Sequence, residues 1–267
     1  MGNPVSHSKS PFIHSEFARQ TGQQLDYTAI CVEPGHLSEA VSQFYHNHGK
    51  GLNITVPFKQ DAWQLASQRS ERAQRAGAVN TLVLLSETAI YGDTTDGIGL
   101  VTDLTQNHGI QIQPQKILIL GAGGAVRGVL EPLLQGQLQQ LVIANRTVAK
   151  ATELADDFAE LGAVSGCGFP DLNGEKFDLV INGTSASLAG ELPPLPENLL
   201  TADACVYDMM YGAKPTVFMR WGMHQGAARC LDGLGMLVEQ AAESFEIWRG
   251  VRPRTEEVIR ALRASMK

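Results

Sequence analysis

Three polar clusters in the first hundred residues carry side chains that could do chemistry: Ser6 with Ser8, Asn53 with Thr55 and Lys59, and Asn80 with Thr95 and Asp96. Hydroxyls, amides, one cation and one carboxylate are what a small polyhydroxylated acid needs for binding. A Lys beside an Asp, facing a nicotinamide, can also give and take a proton at a carbonyl or alcohol. Each cluster has a plainer reading. Ser6 and Ser8 could cap the following helix, Lys59 could be a solvated first-turn cation, and Asp96 could be an N-cap. His7 and His14 read as local hydrogen bonders, because no carboxylate or second His completes a metal site; no metal is expected.

The nicotinamide enters with the stretch KILILGAGGAVRG, Lys116 to Gly128. The apolar run Ile117–Leu120 reads as a buried parallel strand, followed by a tight turn and a helix start. Gly121 allows the sharp turn, and Gly123 lets the backbone approach a pyrophosphate. The N–H groups opening the helix, over Ala122, Gly124 and Ala125, would hold its negative charge. Val126 stands where the usual GxGxxG has its third glycine. The next strand, Leu141–Ala144, runs into Asn145, Arg146 and Thr147, with Lys150 one helical turn on. An NAD site places a carboxylate there for the ribose 2′-hydroxyl. Cations in its place suit a 2′-phosphate, so loop and strand together read as an NADP site.

These residues need elements to position them. The spacing predicts a helix from the Ser10–Pro11 cap to Gly22, a strand over 27–32 and an amphipathic helix from Leu37 to Tyr45. A strand with Leu52, Ile54 and Val56 alternating comes next, then a helix opened by Pro57, and a hairpin of Ala78–Leu85 with Ala89–Gly92. A helix bearing Ile98, Leu100, Val101 and Leu104 leads to strands at 116–120, 141–144, 177–181 and 204–208, with helices at 124–135 and 148–161. Repeated βαβ units argue a doubly wound parallel sheet. Pro132 should kink its helix, and from Asp232 the chain reads as helical.

The chain has 267 residues, enough for two modest domains, and its 43% hydrophobic and 18% charged residues fit an ordinary globular protein. A formal charge of −7 opposes a nucleic-acid partner, and no apolar run reaches the length of a membrane span. Four scattered cysteines read as reduced thiols, which points to the cytoplasm.

At the polar clusters the chain resembles the NADP-dependent shikimate dehydrogenase family. The resemblance is carried by GNPVSHSKSP, NITVPFK, GAVNTL, GDTTDGIG, GAGGAVRG, NRTVAK, YDMMY and DGLGMLVEQAA, which span the chain in order. It implies an α/β protein of two domains, with a Rossmann-like NADP domain (98–231) inserted in a substrate domain (1–97 and 232–267). It implies reduction of 3-dehydroshikimate to shikimate, in aromatic amino-acid synthesis, by a monomer or homodimer. Ser6 and Ser8 would bind the substrate carboxylate, with Tyr211 close by, and Thr55, Asn80 and Gln240 would hold ring oxygens. Lys59 and Asp96 would be the catalytic pair. The cofactor would lie on the Gly121 loop with Asn145, Arg146, Thr147 and Lys150 at its 2′-phosphate, and Met209 and Gly233 would border the nicotinamide.

The chain departs from the family pattern where Thr94 replaces the Asn of GDNTDG, and where Asn182–Ser185 reads NGTS and is followed by SLAGEL. A broader quinate/shikimate dehydrogenase would favour NAD, against Arg146. A methylenetetrahydrofolate dehydrogenase has no place for the serine pair, and a sensor without catalysis would not need both Lys59 and Asp96. Only Met1 precedes the Gly2 turn, where relatives of the family have a strand. The expectation is that the natural chain starts upstream, leaving a gap or an exposed edge beside that turn. Arg146→Asp should weaken NADP binding by about 2 kcal/mol or more, with NAD binding little changed. Titration with both cofactors checks this; equal losses would mean that Arg146 does not read the phosphate.

Overall fold

In the computed structural model, which describes residues 1–266, the first ninety-odd residues form helices around a small mixed sheet. Helix α1 (Ser10–Thr21) starts at Ser10 itself, with Lys9 before it and no side-chain cap, so Ser10 is not the cap that the sequence suggests. Pro11 suits the first turn, and Gly22 closes the helix in the left-handed region at φ 64°. Then come α2 (Leu37–His46), β1 (Gly51–Asn53), α3 (Lys59–Leu65), β2 (Gln68–Arg69) and α4 (Glu71–Ala76). The expected hairpin follows as β3 (Thr81–Leu84) and β4 (Ile90–Asp93). The strand order is β1-β3-β4-β2, with β3 antiparallel to both neighbours.

Residues 27–32 are not a strand. Their backbone meets a partner only at the Gly2–Cys31 bridge, so no ladder forms. The strand through Leu52 and Ile54 also stops early: both are buried, but Val56 is 62% exposed. Edge strand β1 continues into a segment flanked by residues 1–3. Thr55 N donates to Met1 O (3.0 Å) and Asn3 N to Val56 O (3.0 Å), while Val32 N donates to Gly2 O (3.2 Å) on the other side. β1 is an edge strand of the four-stranded sheet, but Met1 N donates to Asn53 O (2.6 Å) and residues 1–3 lie between its continuation and residues 30–32. Neither the expected gap nor an exposed edge is therefore found beside the Gly2 turn.

Helix α5 (Asp96–Thr102) passes through a π-helical turn at Asp103–Asn107 and leads to a six-stranded parallel sheet. Its strands are β5 (Lys116–Leu120), β6 (Gln140–Ala144), β7 (Val164–Cys167), β8 (Phe177–Asn182), β9 (Leu200–Asp208) and β10 (Arg229–Asp232). The order β10-β9-β8-β5-β6-β7 is the doubly wound arrangement, with the chain reversing direction across the sheet between β5 and β8. Helices α6 (Gly124–Leu134), α7 (Val148–Phe158) and α8 (Val217–His224) connect the strands. Both faces of Ile117–Leu120 are covered by apolar clusters, as an unbroken apolar run requires. Strands β7 and β10 have no clear sequence signal, being short, partly exposed and at the two sheet edges. The last helices, α9 (Leu234–Arg249) and α10 (Glu256–Ser265), return to α1, and their apolar faces share its core.

Pro132 finds its reason here. Proline has no N–H for the Gly128 carbonyl one turn back. Gly97 of α5 packs on that spot: a Cβ on Gly97 would stand 2.7 Å from the Gly128 oxygen and 2.7 Å from Pro132 Cγ. The helix that begins with Asp96 thus rests directly on α6. Gly97→Ala should cost about 1–3 kcal/mol through overpacking. Gly123→Ala, whose Cβ would meet nothing within 4 Å, should stay within about 0.5 kcal/mol. Urea unfolding of both variants checks the contrast.

Candidate active site

Lys59 is the first residue of α3 and Asp96 the first of α5. A helix N-terminus favours an anion and disfavours a cation, so Lys59 needs a nearby negative group. Asp96 is that group, with Lys59 Nζ 2.5 Å from Asp96 Oδ2 and both side chains largely sheltered. Thr95, not Asp96, stands at the N-cap position, and no side chain caps the helix, which disposes of the plainer reading of Asp96. The second carboxylate oxygen accepts from Asn80 Nδ2 at 3.0 Å.

Asn80 is held in turn. Its Oδ1 accepts from Thr95 N (2.9 Å) and Thr81 Oγ1 (2.8 Å), and its Nδ2 also meets Thr95 Oγ1 (2.9 Å) and Gln240 Oε1 (3.4 Å). Behind it the buried Ser244 hydroxyl lies 2.8 Å from Thr81 Oγ1 and 3.2 Å from Thr95 Oγ1, and accepts from Asn53 Nδ2 (3.0 Å). Asn53 lines the same cavity as Lys59, but its amide is already engaged by Tyr27, Thr81 and Ser244 and so serves as a brace.

These groups face a cavity of about 380 Å³. Ser8, Thr55, Lys59, Asn80, Asp96, Tyr211 and Gln240 line it, together with Met209 and Gly233. Ser6 does not: it is exposed and lies outside the cavity. This corrects the serine pair. Ser8 and Ser10 are the two serines at the wall, and Ser10 N donates to Ser8 Oγ at 3.3 Å. The same two-residue spacing is present in the sequence, but the proline after Ser10 favours reading it as a helix cap. Lys9 and Tyr27 also line the wall, with no sequence signal that marks them. Tyr27 donates to Asn53 Oδ1 at 2.8 Å, and burial raises its phenol pKa, as burial and Asp232 raise that of Tyr211.

His14 is no hydrogen bonder, contrary to expectation. It is fully buried and stacked on Tyr27 with ring centroids 4.3 Å apart, and neither ring nitrogen has a partner. Burial pushes its pKa down to about 3, so a neutral ring packs behind Tyr27.

The glycine loop lies beyond this cavity, at the C-terminal end of β5. Gly121 has φ +103°, a conformation open to glycine, and Gly123 precedes α6 with no side-chain cap. Gly123 and Gly124 are exposed, and a Cβ on either would meet nothing within 4 Å; Ala122 and Ala125 are half-buried beside them. That leaves open ground over uncapped N–H groups, as an anion requires. Val126 is buried in place of the third glycine, and Gly183 makes room for it: a Cβ there would lie 2.4 Å from Val126 Cγ2.

Past β6, Arg146, Thr147 and Lys150 are exposed and Asn145 is half-buried, its Nδ2 donating to Thr147 O at 3.0 Å. Two cations and no carboxylate in this turn fit a 2′-phosphate, so the residues present suit NADP. The NGTS stretch is well braced. Asn182 Nδ2 donates to Asp208 Oδ1 (3.0 Å), and its Oδ1 accepts from Thr184 Oγ1 (2.7 Å). Ser187, from the unfamiliar SLAGEL, donates to Asp208 Oδ2 (2.7 Å). Met209 and Gly233 touch each other in the cavity wall, where a Cβ on Gly233 would stand 2.3 Å from Met209 O. Met209 also reaches the NGTS turn, its Sδ 3.2 Å from where a Cβ on Gly183 would stand. Among the described residues, no helix is long and apolar enough to cross a membrane.

Family models match three parts of the chain. They are the shikimate dehydrogenase substrate binding domain at residues 1–82, shikimate / quinate 5-dehydrogenase at 103–189, and the shikimate 5′-dehydrogenase C-terminal domain at 233–263. The shikimate dehydrogenase (NADP(+)) of Nitrosococcus oceani is 57% identical over 266 residues, covering 100% of this chain and 94% of the relative. Among solved structures, an Ael1 enzyme from Pseudomonas putida is 47% identical with a TM-score of 0.91, covering 98% of this chain and 96% of that one. Shikimate 5-dehydrogenase from Thermus thermophilus, in complex with NADP(H) and shikimate, is 29% identical with a TM-score of 0.87, covering 99% and 97%.

Proposed function

The chain belongs to the shikimate dehydrogenase family, and from that premise we propose how its residues divide the work of the reaction. The protein is an NADP-dependent oxidoreductase that interconverts 3-dehydroshikimate and shikimate in aromatic amino-acid synthesis. NADPH, when bound, supplies the hydride to the ring carbonyl. The Lys59 ammonium donates a proton to the carbonyl oxygen as charge builds there, and takes it back in the reverse direction. Asp96 holds Lys59 by one carboxylate oxygen and is itself held by Asn80 through the other. The observation that carries the reading is this contact of 2.5 Å in the wall of a cavity rich in hydroxyls and amides.

Ser8 and Ser10, beside the N-terminus of α1, bind the substrate carboxylate, with the Tyr211 hydroxyl near them. Thr55, Asn80 and Gln240 hold ring oxygens. For the cofactor, the Gly121–Ala125 turn receives the pyrophosphate, Asn145, Arg146, Thr147 and Lys150 the 2′-phosphate, and Met209 and Gly233 the nicotinamide. The substrate domain comprises 1–97 and 232–267 and the NADP domain 98–231, a division supported by the two separate sheets. Four free cysteines suit the cytoplasm, and the enzyme works as a monomer or homodimer.

Lys59→Ala should lower turnover about 10²–10⁴-fold while substrate affinity changes much less. NADPH formation from shikimate measures both, and turnover within about threefold of wild type would remove Lys59 from its role. The serines give a second test. Ser10→Ala should raise KM for shikimate about tenfold, the worth of a hydrogen bond to a charged group. Ser6→Ala should change it less than about twofold, and the reverse ranking would restore Ser6.

A further inference from the structure

The turn that delivers Asp96 is fixed from behind by a residue that never reaches the cavity. Asp93 ends β4 and is nearly inaccessible to solvent. Its Oδ1 accepts from Thr94 N (2.7 Å), Ser70 Oγ (2.5 Å) and Arg72 Nε (2.8 Å), while its Oδ2 accepts from Arg72 Nη2 (2.8 Å). The backbone of the same residue accepts from Asn80 N at 3.0 Å. Asp93 thus grips both the Asp96 turn and Asn80, and Arg72 holds Asp93 with a two-pronged fork.

Arg72 reaches a third element. Its Nη2 donates to Glu243 Oε1 at 3.1 Å, and Glu243 lies on α9 three residues after Gln240. Arg252 Nη1 secures Glu243 from the other side at 2.8 Å. A planar guanidinium can bridge two carboxylates at fixed angles, whereas an ammonium on a flexible stem holds a point and not an orientation. The brace uses only the backbone N–H of residue 94. That explains how the chain carries Thr94 where the family motif has Asn: no side chain there is needed to hold Asp93.

We propose that Arg72 is a positioning residue of the dehydrogenase. Its fork on Asp93 sets the turn that brings Asp96 to Lys59, and its bond to Glu243 ties that turn to the helix bearing Gln240. The inference rests on the reading of Lys59 and Asp96 given above. A displacement of about 1 Å in a positioned group can cost on the order of 10²-fold in rate. The nucleotide sheet shares none of these contacts and should be unaffected.

The test uses the full chain with Arg72→Lys, which keeps the charge and loses the fork. A companion double variant, Arg72→Gln with Asp93→Asn, removes both buried charges and so leaves none unpaired. Turnover with shikimate, KM for shikimate and NADP, and the thermal midpoint are measured together. Expected are a fall in kcat of about tenfold or more in Arg72→Lys, a KM for NADP within about twofold, and a folded protein at the assay temperature. The double variant should recover the midpoint without recovering kcat. A kcat within about twofold of wild type in Arg72→Lys overturns the inference. So does a loss of kcat that vanishes when rates are divided by the NADP-binding fraction, since that is a folding effect. Wild type that fails to oxidise shikimate with NADP would overturn the reading of the site itself, a distinguishable result.

Discussion

A cation and a carboxylate drawn out of water need each other and need hydrogen bonds besides. The Lys59–Asp96 pair satisfies both conditions, and much of the first hundred residues is arranged around it. Each partner opens a short helix, so the pair also joins two elements whose orientations would otherwise be independent. Asn80 occupies the free oxygen of Asp96, and Thr81, Thr95 and Ser244 occupy Asn80 and one another. The polar groups behind the cavity thus form one connected set, in which displacing any member strands a buried partner.

Helix α5 turns this local set into an arrangement of the whole molecule. It meets α6 at Gly97 and α9 at Gly99, where a Cβ would lie 2.7 Å from the backbone nitrogen of Gln240. The missing side chains bring backbones close enough that Asp96 and Gln240 converge on Asn80. Farther along, the buried Asp103 accepts from Tyr207 Oη at 2.7 Å, so the same helix is anchored to β9 of the large sheet.

Much of this could be read in the sequence, and the failures have causes. The run Ile117–Leu120 followed by Gly121 was legible because a buried parallel strand and a left-handed turn each restrict residue type severely. The hairpin of β3 and β4 was legible from its alternation, whereas the pairing of Lys59 with Asp96 came from the family resemblance, since a first-turn Lys and an Asp at a helix start each have a plainer local reading. Strands β7 and β10 were not, because an edge strand with Gly166 or half-exposed positions carries no strong periodicity. Residues 27–32 look like a strand but pair only at the single Gly2–Cys31 bridge, a property of tertiary structure that no local pattern carries. Ser10 is ambiguous in sequence because a serine before a proline suits a cap and a wall equally well. Arg72 carries no signal of its own because its partner, Asp93, is visible only once α4 and β4 are side by side.

The cavity wall couples residues that leave the ribosome far apart in time. Asn80 and Gln240 meet across 160 positions, and Asn53 and Ser244 across 191. Lys59 and Asp96 are synthesised early, yet the helix that completes their surroundings comes after the entire parallel sheet. Contacts so distant in sequence are entropically costly to form early, so the parallel sheet can form while the chain's first segment waits. A polypeptide interrupted before α9 would hold Lys59 and Asp96 and still lack the cavity wall that Met236, Leu237 and Gln240 supply.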